Sequence, residues 1–228
     1  MHAALTLNTM KRTFLSLLLF LTSCQASQST DQLLAHIWDK DQSIRQQMLE
    51  ITKAVTVEGR ADMIDSLIAV NEEMERIDTE NMATVDSILQ HGLPDGLSDA
   101  SYKTIWIVID HSSLDKQTQY LPLIEQMAHN GKVGLDEYAV LYDRVAMKQN
   151  RPQRYGSQTI QFGTPEAMQL YVWPIEQPEQ LDSLRSAVGM GPFTDYLHQI
   201  EEAMGIAPKY DTTLTVEELN QMRGMVSQ

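Results

Sequence analysis

Cysteine occurs once in 228 residues, at Cys24, so a disulfide framework is excluded and so is a structural zinc site built on several thiolates. Basic residues are scarce: 17 Lys and Arg stand against 31 Asp and Glu, a net charge of -14. A surface this acidic repels phosphate backbones, and nucleic acid is not an expected partner. Aromatics make up only 7%. Apart from a short stretch near the start there is no long hydrophobic run, which excludes a polytopic membrane protein. The signatures GxSxG, GxxxxGK[ST], HExxH, CxxC and the EF-hand loop are all missing. Gly189-Met190-Gly191 lacks the third glycine and the preceding strand of a dinucleotide fingerprint. No histidine pair has metal-ligand spacing, so neither a metal nor another cofactor is expected.

What is present begins at the N-terminus. Lys11 and Arg12 precede an apolar stretch, Phe14 to Leu21, that is too short to span a bilayer. A basic start, a short apolar middle and small residues before a cut form a secretory signal. Leu21-Thr22-Ser23-Cys24 resembles a bacterial lipobox, and the single cysteine falls at the position that is lipidated. The expected organisation is a signal peptide over 1–23, a polar tether over 24–30, a mainly helical domain over 31–205 and a C-terminal extension with a short helix over 206–228. Several acyl chains at ~0.8 kcal/mol per buried CH₂ would anchor the protein stably. Gln25 stands where inner-membrane lipoproteins of enteric-type sorting carry aspartate, which points to the outer membrane. The membrane, through that anchor, and an unknown protein or envelope polymer are the expected partners.

Along the body, Leu33, Leu34, Ile37, Trp38, Ile44, Met48, Ile51 and Val55 recur at helical spacing, with Ser29 or Thr30 as an N-cap. Asp41 and Arg45 read as a surface i,i+4 pair. A second helical pattern runs from Glu58 to about Gln90 and stops at His91-Gly92-Leu93-Pro94-Asp95-Gly96. Thr104 to Ile109 is apolar throughout and is assigned helix on its neighbours. Tyr120 to Ala128 and Leu135 to Ala146 are further helices. Residues 157–162 and 168–175 flank Gly163-Thr164-Pro165 as a hairpin. Pro178 with Gly189, and Pro192 with Gly205, open and close two more helices. Thr215 and Glu218 form a capping box, with Leu214 and Leu219 as its staple. The expected fold is mainly α, a helical single domain with one small β-hairpin in the C-terminal third.

Polar residues cluster where a core needs none. Asp110-His111 follows the most apolar run, and Asp143-Arg144 sits inside the helix over 135–146. Together with Tyr155 and Gln158 they make a candidate pocket: His111, Asp143, Arg144, Tyr155 and Gln158. His111 could act as a general base, Asp143 could orient it and Arg144 could hold an anionic group, as in a small hydrolase or transferase. With no nucleophile in the set, the preferred expectation is a non-catalytic binding or interaction module. Asp143 or Arg144 should then hydrogen-bond the 153–158 segment, with His111 beside it.

An ordered series of short pieces runs through the chain. It comprises Asp41-Gln42 with Arg45, Asp78 with Asn81, His91 to Pro94, Asp110-His111, Tyr142-Asp143-Arg144, Gln153 to Gln158, Pro174-Ile175, and Asp182 with Arg185 and Gly189. Over roughly residues 35–200 the chain resembles domain of unknown function family 6624. That family has no established activity, so the resemblance implies a folding unit and leaves its chemistry open. Asp110 stands where the family usually has glutamine, and Ser157 where it usually has threonine.

Overall fold

The computed structural model describes residues 3–56, 58–163 and 168–226; for 3–28, and at 56 and 226, only the helical backbone is described. Cys24 and the lipobox therefore lie outside the described side chains, as do residues 164–167 of the expected hairpin turn. The fold is mainly α with one small antiparallel hairpin. Among the described residues, no helix is long and apolar enough to cross a membrane. Contacts cluster into two compact units, residues 1–108 and 109–228.

In the first unit, α1 (Ala3–Thr56) is followed by α2 (Ile64–Leu89) and the start of α3 (Asp99–His111). The expected cap at Ser29 or Thr30 is not used. The helix already runs through these residues, so the following N–H groups find carbonyls one turn back and need no cap. The backbone of 24–30, read as a tether, is likewise helical. The stripe on α1 packs on α2: Ile44 and Ile51 share a buried cluster with Val70 and Ile77. Leu33 falls off the stripe and stays exposed. The helical pattern expected from Glu58 to about Gln90 is a 3₁₀ turn over Ala61–Met63 followed by one helix, Ile64–Leu89, which ends at the turn containing Gly92.

Asp31 does its capping elsewhere. Its carboxylate accepts from Ser98 N–H (3.0 Å), Ser98 Oγ (3.1 Å) and Ser101 Oγ (2.6 Å) at the start of α3. Ser98 Oγ in turn accepts from Ser101 N–H. A negative group at a helix N-terminus meets the positive end of the peptide dipoles. The hydroxyl and N–H donors hold the Asp31 carboxyl below its ordinary value of 3.8. The apolar run 104–109 is helix because both its faces are covered: Tyr102, Ile105, Trp106, Val108 and Ile109 are all buried.

In the second unit, α4 (Leu114–His129) packs on α5 (Leu135–Lys148). β1 (Thr159–Phe162) pairs antiparallel with β2 (Gln169–Val172), Thr159 opposite Val172. Lys209 adds a short parallel rung to β2, donating N–H to Leu170 O and accepting from Val172 N–H. Pro178 begins a 3₁₀ turn leading into α6 (Leu181–Ala187). Pro192 caps α7 (Phe193–Met204), and Gly205 ends it with φ +68°. Val172, Leu181 and Phe193 form the core under these elements. The capping box is present: Glu218 Oε2 accepts from Thr215 N–H at 2.9 Å, and Thr215 Oγ1 accepts from Glu218 N–H at 3.2 Å. It starts α8 (Val216–Val226), which buries Leu219 completely.

Candidate functional site

Asp143 sits at the edge of the apolar stripe of α5 and points inward, fully buried. The segment folded over it is Gln153 to Gln158. Asp143 Oδ1 accepts from Arg154 N–H (2.7 Å), and both oxygens accept from Tyr155 N–H (3.1 Å each). Oδ2 also accepts from Ser157 N–H and Ser157 Oγ, each at 3.0 Å. A carboxylate offers about four lone-pair directions, and these donors take them. Burial pushes the Asp143 carboxyl above its ordinary 3.8, and the N–H groups of the loop pull against that without cancelling it.

The carbonyls of the same loop face a cation. Arg185 is buried; its Nη1 donates to Tyr155 O (2.8 Å) and its Nε to Gly191 O (2.8 Å). Its guanidinium lies 5.5 Å from the Phe193 ring centre and 5.0 Å from that of Tyr196. Burial lowers the arginine from its ordinary value. Tyr196 OH donates to Ser157 O at 2.6 Å. The loop is therefore held by its donors on Asp143 and by its acceptors on Arg185 and Tyr196. Two buried charges of opposite sign are each solvated by peptide dipoles, which is how an interior tolerates them.

Both glutamines that bound the loop are also buried. Gln153 Nε2 donates to Gln158 O (2.9 Å) and Trp173 O (2.7 Å), while its Oε1 accepts from Gln158 N–H (2.8 Å). Gln158 Nε2 reaches Val140 O at 3.4 Å. Tyr155 is buried with its ring edge-on to Tyr142.

Arg144 turns away from this loop. Its Nε donates to the buried Asp110 Oδ1 at 2.9 Å. Asp110 thus makes a charged hydrogen bond with Arg144. Gln117 Nε2 donates to Asp110 O (2.6 Å) and Lys148 Nζ to Ser112 O (3.3 Å), which pins the 110–112 turn from α4 and α5. His111 closes α3 and is half-buried. Of the five candidates, the structure brings Asp143, Tyr155 and Gln158 together around one loop and sends Arg144 to Asp110. Two clefts lie elsewhere. One of about 190 Å³ is bordered by Ala35, Trp38 and Lys103, and an open groove of about 940 Å³ lies between Pro152, Pro174 and residues 212–217; neither is lined by a candidate.

One polar group was misjudged from the sequence. Asp41 is only 1% exposed, so Asp41 and Arg45 are not a surface pair. Arg45 Nη2 donates to both oxygens of Asp78, at 2.8 and 3.0 Å, and Nη1 lies 3.5 Å from Asp41 Oδ1. An i,i+4 acid–base pair looks the same in sequence whether exposed or buried. The available signal was the series of short motifs, in which Asp41, Arg45, Asp78 and Asn81 all occur.

The model of a family of unknown function, DUF6624, matches residues 28–209. The chain belongs to that family. No curated protein and no solved structure matches it. The DUF6624 region contains every residue of the Asp143–Arg185 arrangement and ends at Lys209, the residue that pairs with β2. Residues 210–228, with α8, lie beyond it.

Proposed function

We propose that this DUF6624 chain is a bacterial envelope lipoprotein, held at the outer membrane by acyl chains on Cys24, whose folded body is a non-catalytic interaction module. The anchor rests on Leu21-Thr22-Ser23-Cys24 behind the basic residues and apolar run. An acidic body gains nothing from anionic lipid, so covalent lipid is the suitable tether. The observation that carries the non-catalytic reading is the Asp143 carboxylate. Its lone pairs are occupied by the main chain of 154–157 and the Ser157 hydroxyl, so it serves the fold and is not the orienting partner of a general base.

The anchor is tested by fractionating cells that express Cys24→Ser. The wild-type protein is expected in the membrane fraction with a mass raised by acylation, and the variant released at its unmodified mass. Identical fractionation and mass for the two would overturn the proposal.

A further inference from the structure

The cluster in the first unit that the proposed function leaves unused is built on α1 and α2. Arg45–Asp78 and Lys40–Glu80 bridges run between the two helices, and their numbering falls on α2 as it rises on α1, so the helices are antiparallel. Asp41, next to Lys40, then lies at the level of Glu80 and Asn81. Asp78 and Asn81 are three residues apart and share a face of α2. Two motifs 33 residues apart are thereby joined in one place.

Two features distinguish this cluster from a register lock between helices. A carboxylate oxygen of Asp41 and one of Asp78 lie within 4.8 Å of each other, a span that one metal ion with oxygen ligands at 2.0–2.6 Å can bridge. Asn81 is 4% exposed, and its Nδ2 is buried with no hydrogen-bond partner among the described residues. A lock would satisfy its own donors, because an unmade buried bond costs stability with no return. The unmet donor at Asn81, on the same face of α2 as Asp78, calls for an oxygen acceptor. The charge points the same way, since Asp41 and Asp78 outweigh Arg45 by one negative unit.

We propose that Asp41 and Asp78 hold a hard divalent cation of the Mg²⁺ or Mn²⁺ class, and that Asn81 donates to a water on that ion. Mg²⁺ is usually bound through one or two carboxylates and keeps several waters, so this small donor set suffices. Carboxylate and water oxygens suit a hard ion of this class. Each carboxylate oxygen has two lone-pair directions, so Asp78 can serve Arg45 and the ion together. Arg45 keeps the two carboxylates side by side in the absence of the ion.

The test is a Mn²⁺ titration of the purified full chain, with free Mn²⁺ read by electron paramagnetic resonance and thermal melts run with and without Mg²⁺. One tight equivalent is expected, and Mg²⁺ raises the melting temperature. Asp41→Asn loses the tight equivalent. Asn81→Leu, which removes only the outer hydrogen bond, weakens it about tenfold. Asn81→Asp supplies a third carboxylate: it melts below wild type without the ion, above it with the ion, and binds Mn²⁺ more tightly. This reversal keeps the test decisive if Asp41→Asn fails to fold, because a purely structural role for Asn81 would not depend on the ion. Absence of a tight equivalent in the wild type would overturn the proposal. So would one that is unchanged in Asn81→Asp and Asn81→Leu, since that would place the ion on other surface acids.

Discussion

Gly156 is where the polar loop of the second unit is tightest. Its φ is +67°, and a Cβ there would come within 2.9 Å of the Phe193 ring. The left-handed conformation costs a non-glycine residue about 1–2 kcal/mol, and Phe193 cannot retreat because it is buried under Arg185. Gly156→Ala is therefore expected to lose about 2 kcal/mol in urea unfolding, and an unchanged midpoint would contradict this description of the loop. The sequence showed part of this. A Tyr-Gly pair predicts a turn, and Asp143 beside an apolar stripe predicts an inward carboxylate that bonds the 153–158 segment, as it does. The partner cation was legible only as a member of the motif series: Arg185 follows Tyr155 by 30 residues, and nothing local gives its burial or its role.

Elements were most legible where the chain carries its own stop and start chemistry. Proline at the entry and glycine at the exit placed the helices after 178 and 192, and the Thr215–Glu218 box placed α8. The N-terminus of α3 was less legible because its local cap, Ser98 Oγ on Ser101 N–H, is completed by a carboxylate from another helix. Asp31 precedes Ser98 by 67 residues. Its folded-state pKa is depressed, so its contribution is full above the ordinary value of 3.8 and is lost as the pH falls through the lower folded value. Acid unfolding followed by circular dichroism should therefore show a shallower acid limb for Asp31→Asn than for wild type below about pH 4; parallel limbs would count against the cap. Leu219 belongs to the same scale. It is the fully buried contact of α8, and Leu219→Ala should destabilise the protein by about 3 kcal/mol in a urea melt. A negligible change would mean that α8 is not held through this residue.

At the scale of the whole molecule, a mainly α chain with one hairpin was readable because helical stripes dominate and the alternating segments are confined to 157–175. The division into two compact units was not. It falls between Val108 and Ile109, inside an apolar helix, where no glycine, proline or polar linker marks it. Nor was the depth of Asp41 readable, because burial on a helix–helix face depends on what the other helix brings, here Asp78 and Asn81. In this chain the 153–158 segment is held between Asp143 and Arg185. Asp143 is the structural anchor of the second unit, and equilibrium urea unfolding of the full chain tests that role most directly. Asp143→Ala removes the acceptor of three backbone N–H groups and one hydroxyl, and should lower the unfolding free energy by about 3 kcal/mol. An Asp143→Ala protein as stable as wild type, or more stable, would contradict the account, because residues kept for binding or catalysis are commonly held at a cost to stability.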